Sequence, residues 1–176
     1  MNPVRTLTAT TLAALAVATA GIAGADAATD RTTRATGPTV VHDERFGDVD
    51  AAVTAVSTGD GRTVVTLHLA NLPAFTAGTT VGAHVHTGAC GAAPGASGPH
   101  YVNPTAPAGT ALHDKEIWLD VDVNAAGSGR ATTIADWLIA PGDARSVVVH
   151  ANPTDHSTGA AGARLLCTDV DFGFPS

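Results

Sequence analysis

DAAVTAVSTGDGRTVVTLHLA, residues 50–70, decides the fold class. Two short runs rich in Val and Thr flank Asp60-Gly61, a dipeptide suited to the φ > 0 geometry of a tight hairpin turn. In the second run Val65, Leu67 and Leu69 share one face while Val64, Thr66 and His68 share the other, the period of a strand with one buried side. That period puts His68 on the outer face, with nothing to bind.

The pattern continues along the chain. Short Val- and Thr-rich runs are punctuated by Gly, Pro, Asn and Asp, which predicts strands at 39–45, 50–57, 62–70, 79–86, 116–123, 129–135, 145–150 and 165–171. Eight short strands at this spacing predict an all-β, eight-stranded Greek-key barrel or sandwich. Two segments, 87–114 and 151–163, lack strand character and exceed ordinary hairpin loops. Long loops that carry histidines on a β scaffold are where function is built.

The N-terminus reads as a targeting segment. Arg5 is a positive n-region, Leu7 to Ala23 an Ala-rich apolar run and Ala25-Asp26-Ala27 a small-residue cleavage site, so residues 1–27 are expected to be a secretory signal peptide. Residues 28–37, polar and aperiodic, are expected to be a flexible leader, and 38–176 the β domain. Cleavage near Ala27 would leave about 149 residues, enough for one core that buries roughly 70% of the unfolded surface. No later stretch is apolar enough to span a bilayer, so an exported protein without membrane insertion is expected. Arg5 and Asp26 would leave together, so the net charge of −7 is unchanged, and an acidic surface argues against nucleic acid as a partner. In an oxidising compartment the two cysteines, Cys90 and Cys167, read most simply as a disulfide worth about 4 kcal/mol. Two thiolate metal ligands are the alternative, which the absence of a CxxC does not favour.

Four histidines stand in three separate pieces: His84 and His86 in VGAHVHTGAC, His100 in SGPHYVNP and His150 in SVVVHANP. On a strand, His84 and His86 point the same way about 7 Å apart, within reach of one ion. Val81, Ala83 and Val85 take the core face, which leaves both histidines on the outer wall under the long loops. With His100 they make an N4 set that suits copper, whose divalent ion tolerates a tetragonal arrangement; zinc also accepts imidazole.

Together these residues resemble the copper/zinc superoxide dismutase family. His84-Val85-His86, then a cysteine, then Gly98-Pro99-His100 with Asn103-Pro104, then Val148-Val149-His150, then Gly162-Ala163-Arg164 ending at Cys167, follow the order and approximate spacing of its motifs across residues 40–173. The resemblance implies His84, His86, His100 and His150 as copper ligands, Cys90 and Cys167 as the intrasubunit disulfide and Arg164 as the anion-guiding cation. His100 and Arg164 are then the catalytic candidates. It also implies copper-dependent conversion of superoxide to oxygen and hydrogen peroxide. At the zinc site the sequence departs from the family. One histidine, His113, remains in the following loop, and the aspartate that links the two metal sites, four residues after the last copper histidine, is Thr154. KEIWLDVDV resembles bacterial members thought to work with copper alone. A makeshift second site from His100, His113 and Glu116 is the alternative, and Glu116 or Asp155 could instead hold His100. Glu116, Trp118, Asp120 and Asp122 alternate against Ile117, Leu119, Val121 and Val123, the pattern of a solvated strand face for most of the acidic residues.

Two rival readings remain. A secreted copper-binding protein on the same scaffold without turnover is consistent with the missing zinc ligands, although a binder has no need of an anion-guiding cation. A carbohydrate-binding module would expose aromatics for stacking, and only seven aromatics exist in the chain. Oligomeric state is not encoded in any pattern described above.

Overall fold

The computed structural model describes residues 29–172; the segment read as a signal peptide lies outside them. Among the described residues ten strands follow one another: β1 Arg31–Thr36, β2 Val40–Val41, β3 Asp50–Ser57, β4 Thr63–Ala70, β5 Thr80–Val81, β6 Ala83–His86, β7 Val121–Asp122, β8 Gly129–Ala135, β9 Ser146–His150 and β10 Arg164–Asp169. One sheet has the order β1-β3-β4-β8, a second β2-β10-β9-β6, and β5 with β7 forms a two-stranded ribbon. Every pairing is antiparallel. No helix among the described residues is long and apolar enough to cross a membrane.

The hairpin at Asp60-Gly61 forms as its sequence predicts. β3 and β4 pair from Asp50↔Ala70 to Ser57↔Thr63, and Gly61 turns the chain at φ +90°. Val53, Ala55, Val65, Leu67 and Leu69 from the first sheet and Val85, Val147, Val149 and Leu166 from the second meet in one buried core, as inward faces of a two-layer sandwich do. Ile117, Leu119, Val121 and Val123 are buried in the same cluster.

Four local expectations are corrected. Residues 31–36, expected as part of a flexible leader, form β1 and pair along β3 from Arg31↔Ser57 to Thr36↔Ala52. An edge strand needs little apolar side chain to be held by its backbone ladder, and only Ala35 packs against the core. The strand predicted at 39–45 is confined to 40–41; Asp43 then accepts the Arg45 N–H and opens a 3₁₀ turn over Glu44–Phe46. The run 79–86 breaks at Gly82, where β5 turns to β7 and β6 to β9. A Cβ there would stand 2.7 Å from both the Ala161 Cβ and the Asn152 carbonyl oxygen, so the crossing needs glycine. The run 116–123 keeps a ladder only at 121–122, while Glu116 and Trp118 make single bridges to Val102 and His84.

Burial along β6 and β9 locates the site. All four residues of β6 and all five of β9 are buried, whereas a strand with one wet face would alternate. Both faces are therefore covered: the inner by the core, the outer by the loops between β6 and β7 and between β9 and β10. Backbone bonds tie these loops down, among them Tyr101 N–H to Val85 O (2.8 Å), Leu119 N–H to Ala83 O (2.7 Å) and Gly82 N–H to Asn152 O (2.8 Å). A disulfide joins Cys90, in the first loop, to Cys167 in β10. This is the pairing expected above, and it excludes both sulfurs as metal ligands.

Candidate metal centre

The covered outer face of β6 and β9 carries His84, His86 and His150, and the first loop brings His100 over them. Each of the four offers one ring nitrogen, and these atoms lie within 4.8 Å of one another. His84 and His86 are fully buried and His150 nearly so. Their rings stand 3.9 to 6.3 Å apart, His84 and His100 being the closest pair and His84 and His86 the widest.

Hydrogen bonds fix which nitrogen of each ring faces inward. His86 Nδ1 lies 3.0 Å from the Gly98 carbonyl and His150 Nδ1 3.2 Å from the Gly162 carbonyl. A carbonyl only accepts, so both Nδ1 atoms carry the proton and both Nε2 atoms present lone pairs. His100 Nδ1 donates to Glu116 Oε2 at 2.8 Å, which leaves its Nε2 free as well. For His84 the order is reversed. Thr154 Oγ1 donates to Asp120 Oδ1 at 2.5 Å, so its oxygen accepts from His84 Nε2 at 2.8 Å. His84 Nδ1 is then the lone pair, and it is a buried nitrogen without a hydrogen-bond partner.

Four lone pairs thus converge on one point, and the two on His86 and His150 face each other across 3.4 Å. Such an arrangement is repulsive unless a proton or a cation lies between. Burial argues against the proton, for it lowers the pKa of His84 to about 2, of His86 to about 3 and of His150 to about 4; for the last two the carbonyl at Nδ1 opposes the shift without cancelling it. Four imidazoles with their other nitrogens tied off, three of them kept neutral by burial, fit a metal ion of borderline softness.

The outer shell is built largely from the strand face that the sequence reads as solvated, and this is a correction. Glu116 is buried and accepts both the His100 Nδ1–H and the Trp118 Nε1–H, at 2.8 and 2.7 Å. Burial pushes its carboxyl up, but these two bonds outweigh it and hold the pKa below the usual carboxylate range. Asp120 accepts the Thr154 hydroxyl and, through Oδ2, the Thr154 backbone N–H at 2.8 Å. Asp122 behaves as expected, exposed and bonded only to Thr80. The signal was present in the alternation of Glu116, Trp118 and Asp120 on one face; what it lacked was the loop that covers them.

Of the second-site candidates, His100 and Glu116 come together and His113 does not. His113 is half exposed and pairs with Asp114 at 3.1 Å. Asp155, the other carboxylate considered for His100, instead accepts from Ser157 and Thr158 and shapes its own turn. Arg164 stands with His100, His150 and Glu116 around one open cleft of about 570 Å³. Its guanidinium donates to the Pro94 carbonyl, the Ser97 hydroxyl and the Gly98 carbonyl, at 2.8, 2.8 and 2.7 Å, so it is braced against the same carbonyl that orients His86. His68 is exposed on the outer sheet face.

The sequence profile of the copper/zinc superoxide dismutase family matches residues 49–170. No curated protein sequence matches the chain. Among solved structures, the clock protein EA4 aligns over 83% of this chain and 96% of its own at 17% identity, with a TM-score of 0.59. A double mutant of a SOD-like protein from Bacillus subtilis aligns over 78% and 94% at 15% identity, TM-score 0.55. The Cu(II) form of superoxide dismutase 5 from Candida albicans aligns over 85% and 97% at 16% identity, TM-score 0.49. At these identities the likeness to the first two is one of fold.

Proposed function

The chain belongs to the copper/zinc superoxide dismutase family, and from that membership we propose that it disproportionates superoxide at a single copper ion held by His84 Nδ1 and by Nε2 of His86, His100 and His150. The observation that carries this reading is the convergence of four lone pairs whose opposite ring nitrogens are each tied to a protein oxygen. When bound, copper supplies a one-electron couple that one superoxide reduces and a second reoxidises, giving oxygen and hydrogen peroxide.

The residues around the cleft have distinct tasks. Superoxide is an anion and the chain carries a net charge of −7, so attraction must come from a local cation. Arg164 fills that role at the cleft, held in place by its three oxygen contacts. Glu116 keeps the proton of His100 on Nδ1 and the ring in one orientation, and Trp118 holds Glu116 in turn. That same bond occupies the His100 nitrogen that a second metal would use, which supports copper alone over a copper and zinc pair. Export is part of the proposal: the apolar N-terminal run followed by a small-residue site, together with a disulfide, suits an oxidising compartment.

The test is metal analysis of the purified protein after copper and zinc loading, with a superoxide-decay assay on the same samples. One copper per chain, no zinc and rapid decay abolished in His84→Ala is the expected result. One copper per chain without catalysed decay would replace dismutation by copper binding alone, and no copper would remove both readings.

A further inference from the structure

Away from the quartet, a pocket of about 440 Å³ opens where the 3₁₀ turns Glu44–Phe46 and Ala74–Thr76, β5 and the loop between β9 and β10 meet. Its walls are apolar. Phe46, Phe75, Val81 and Leu165 line it together with Ala151 and Pro153. Three threonines also line it, and their hydroxyl protons are spent on protein oxygens: Thr76 donates to the Pro73 carbonyl, Thr79 to the Thr76 carbonyl and Thr80 to Asp122 Oδ1, at 2.7, 2.7 and 2.6 Å. The threonines therefore bring no donor to the pocket.

Phe75 marks the mouth. It is 59% exposed, the most exposed large apolar side chain among the described residues, and yet it is held: its ring stands perpendicular to that of the buried Phe46 at 5.8 Å, and the Arg45 guanidinium lies over it at 5.2 Å. A fixed aromatic ring at the mouth of an apolar pocket is a surface that another flat ring covers well, edge to face or offset. The volume falls in the range of about 300–1,000 Å³ that small-molecule sites occupy. Charge selects among such guests. Arg45 is paired with Asp43 through Nε and Nη2, so the charges at the mouth cancel. An anion meets a chain of net charge −7, and a cation finds no carboxylate among the lining residues. Arg45 Nη1 and the Asn152 amide remain to meet one neutral hydroxyl or carbonyl.

We propose that this pocket is a binding site for a flat, uncharged aromatic molecule of two or three fused rings carrying one hydroxyl or carbonyl. The wall on which it rests is shared with the metal centre. The Asn152 carbonyl accepts the Gly82 N–H and the Gly82 carbonyl accepts the His150 N–H, at 2.8 and 2.7 Å, and residues 151–153 run from His150 to Thr154. The pocket contains no quartet residue, and its occupation requires no copper.

The experiment titrates 2-naphthol into nitrogen-15-labelled protein and follows the amide shifts, with 2-naphthoate as the charged counterpart in a second arm. Saturable shifts centred on Phe46, Phe75, Thr80 and Asn152 are expected, with a Kd of about 1 mM or tighter. Binding should be at least tenfold weaker in Phe75→Ala, in Ala151→Leu, which fills the pocket from the loop between β9 and β10, and for 2-naphthoate on the parent. Ile134→Ala, at an exposed apolar residue of β8 outside the pocket, should bind as the parent does, and circular dichroism checks that each variant folds. Shifts that do not saturate, equal affinity in the parent and the two pocket variants, equal loss in Ile134→Ala, or equal affinity for 2-naphthoate would each overturn the proposal. A protein that took no copper or left superoxide undecayed would defeat the proposed function and leave this inference standing.

Discussion

Thr154→Val keeps the shape of a buried side chain and removes one hydroxyl. That hydroxyl accepts from His84 Nε2 and donates to Asp120 Oδ1, while the backbone bond from Thr154 N–H to Asp120 Oδ2 remains. His84 is fully buried, so water does not replace the lost acceptor. A stranded buried donor costs about 1–3 kcal/mol, and the variant is expected to lose about 2 kcal/mol of stability in urea unfolding. The larger effect falls on the metal. Without the hydroxyl nothing keeps the proton on Nε2, and loss of such an outer partner weakens metal binding by about 10–100-fold. Copper competition against a chelator measures this directly, and Thr154→Ser, which keeps the hydroxyl, should bind as the parent does. A valine variant with the parent's copper affinity would refute the tautomer argument from which His84 Nδ1 is assigned as the ligand atom.

Acid should destabilise the chelator-stripped protein. His84, His86 and His150 have folded-state pKa values of about 2, 3 and 4, below the ordinary 6.5, so the unfolded chain takes up protons first and stability falls as pH drops through 6.5, continuing until each folded-state value is passed. At about 1.4 kcal/mol per histidine per pH unit, the loss between pH 7.5 and 5.5 is about 4 kcal/mol, read from urea midpoints; a flat profile would mean that the rings are solvated. Cys90→Ser/Cys167→Ser opens a link spanning 77 residues of sequence separation and should cost about 4 kcal/mol, with the parent's stability in reducing buffer as the check. Arg164→Ala should lower kcat/KM for superoxide decay and flatten its ionic-strength dependence with copper still bound, and unchanged kinetics at low salt would remove Arg164 from the mechanism.

The architecture and the inner ligands were legible because they depend on short-range periodicity. The alternation in β4 and β6 sorts core from outer face, and the hairpin dipeptide sits where the chain turns. Strand ends at 39–45 and 116–123 were less legible, since a ladder ends where the partner backbone ends and not where Val and Thr end. Polarity misled twice in the same way. Thr32 and Arg34 belong to an edge strand held by backbone bonds, and Glu116 and Asp120 belong to a face that a distant loop encloses. In both places the deciding contact comes from a residue remote in sequence: Val56 and Thr54 of β3 for Thr32 and Arg34, Thr154 for Asp120 and His100 for Glu116.

Charge complementarity gives the enclosed face its logic. Two carboxylates stand behind ligand rings, Glu116 in contact with His100 and Asp120 behind His84 through Thr154. Both would be costly under cover without donors, and each has at least two. A carboxylate that polarises an imidazole N–H makes the opposite nitrogen a better donor to a metal. With Arg164 at the cleft, the enclosed charges sum to about −1 before any ion is bound, so a divalent cation among the four lone pairs is favoured by the field as well as by the ligands. Removing one carboxylate should therefore weaken copper more than removing its hydrogen bond alone. Glu116→Gln, which keeps an acceptor for His100 but loses the charge, separates the two: an affinity equal to the parent's would assign Glu116 to orientation only, and a tenfold loss would assign part of its effect to the field.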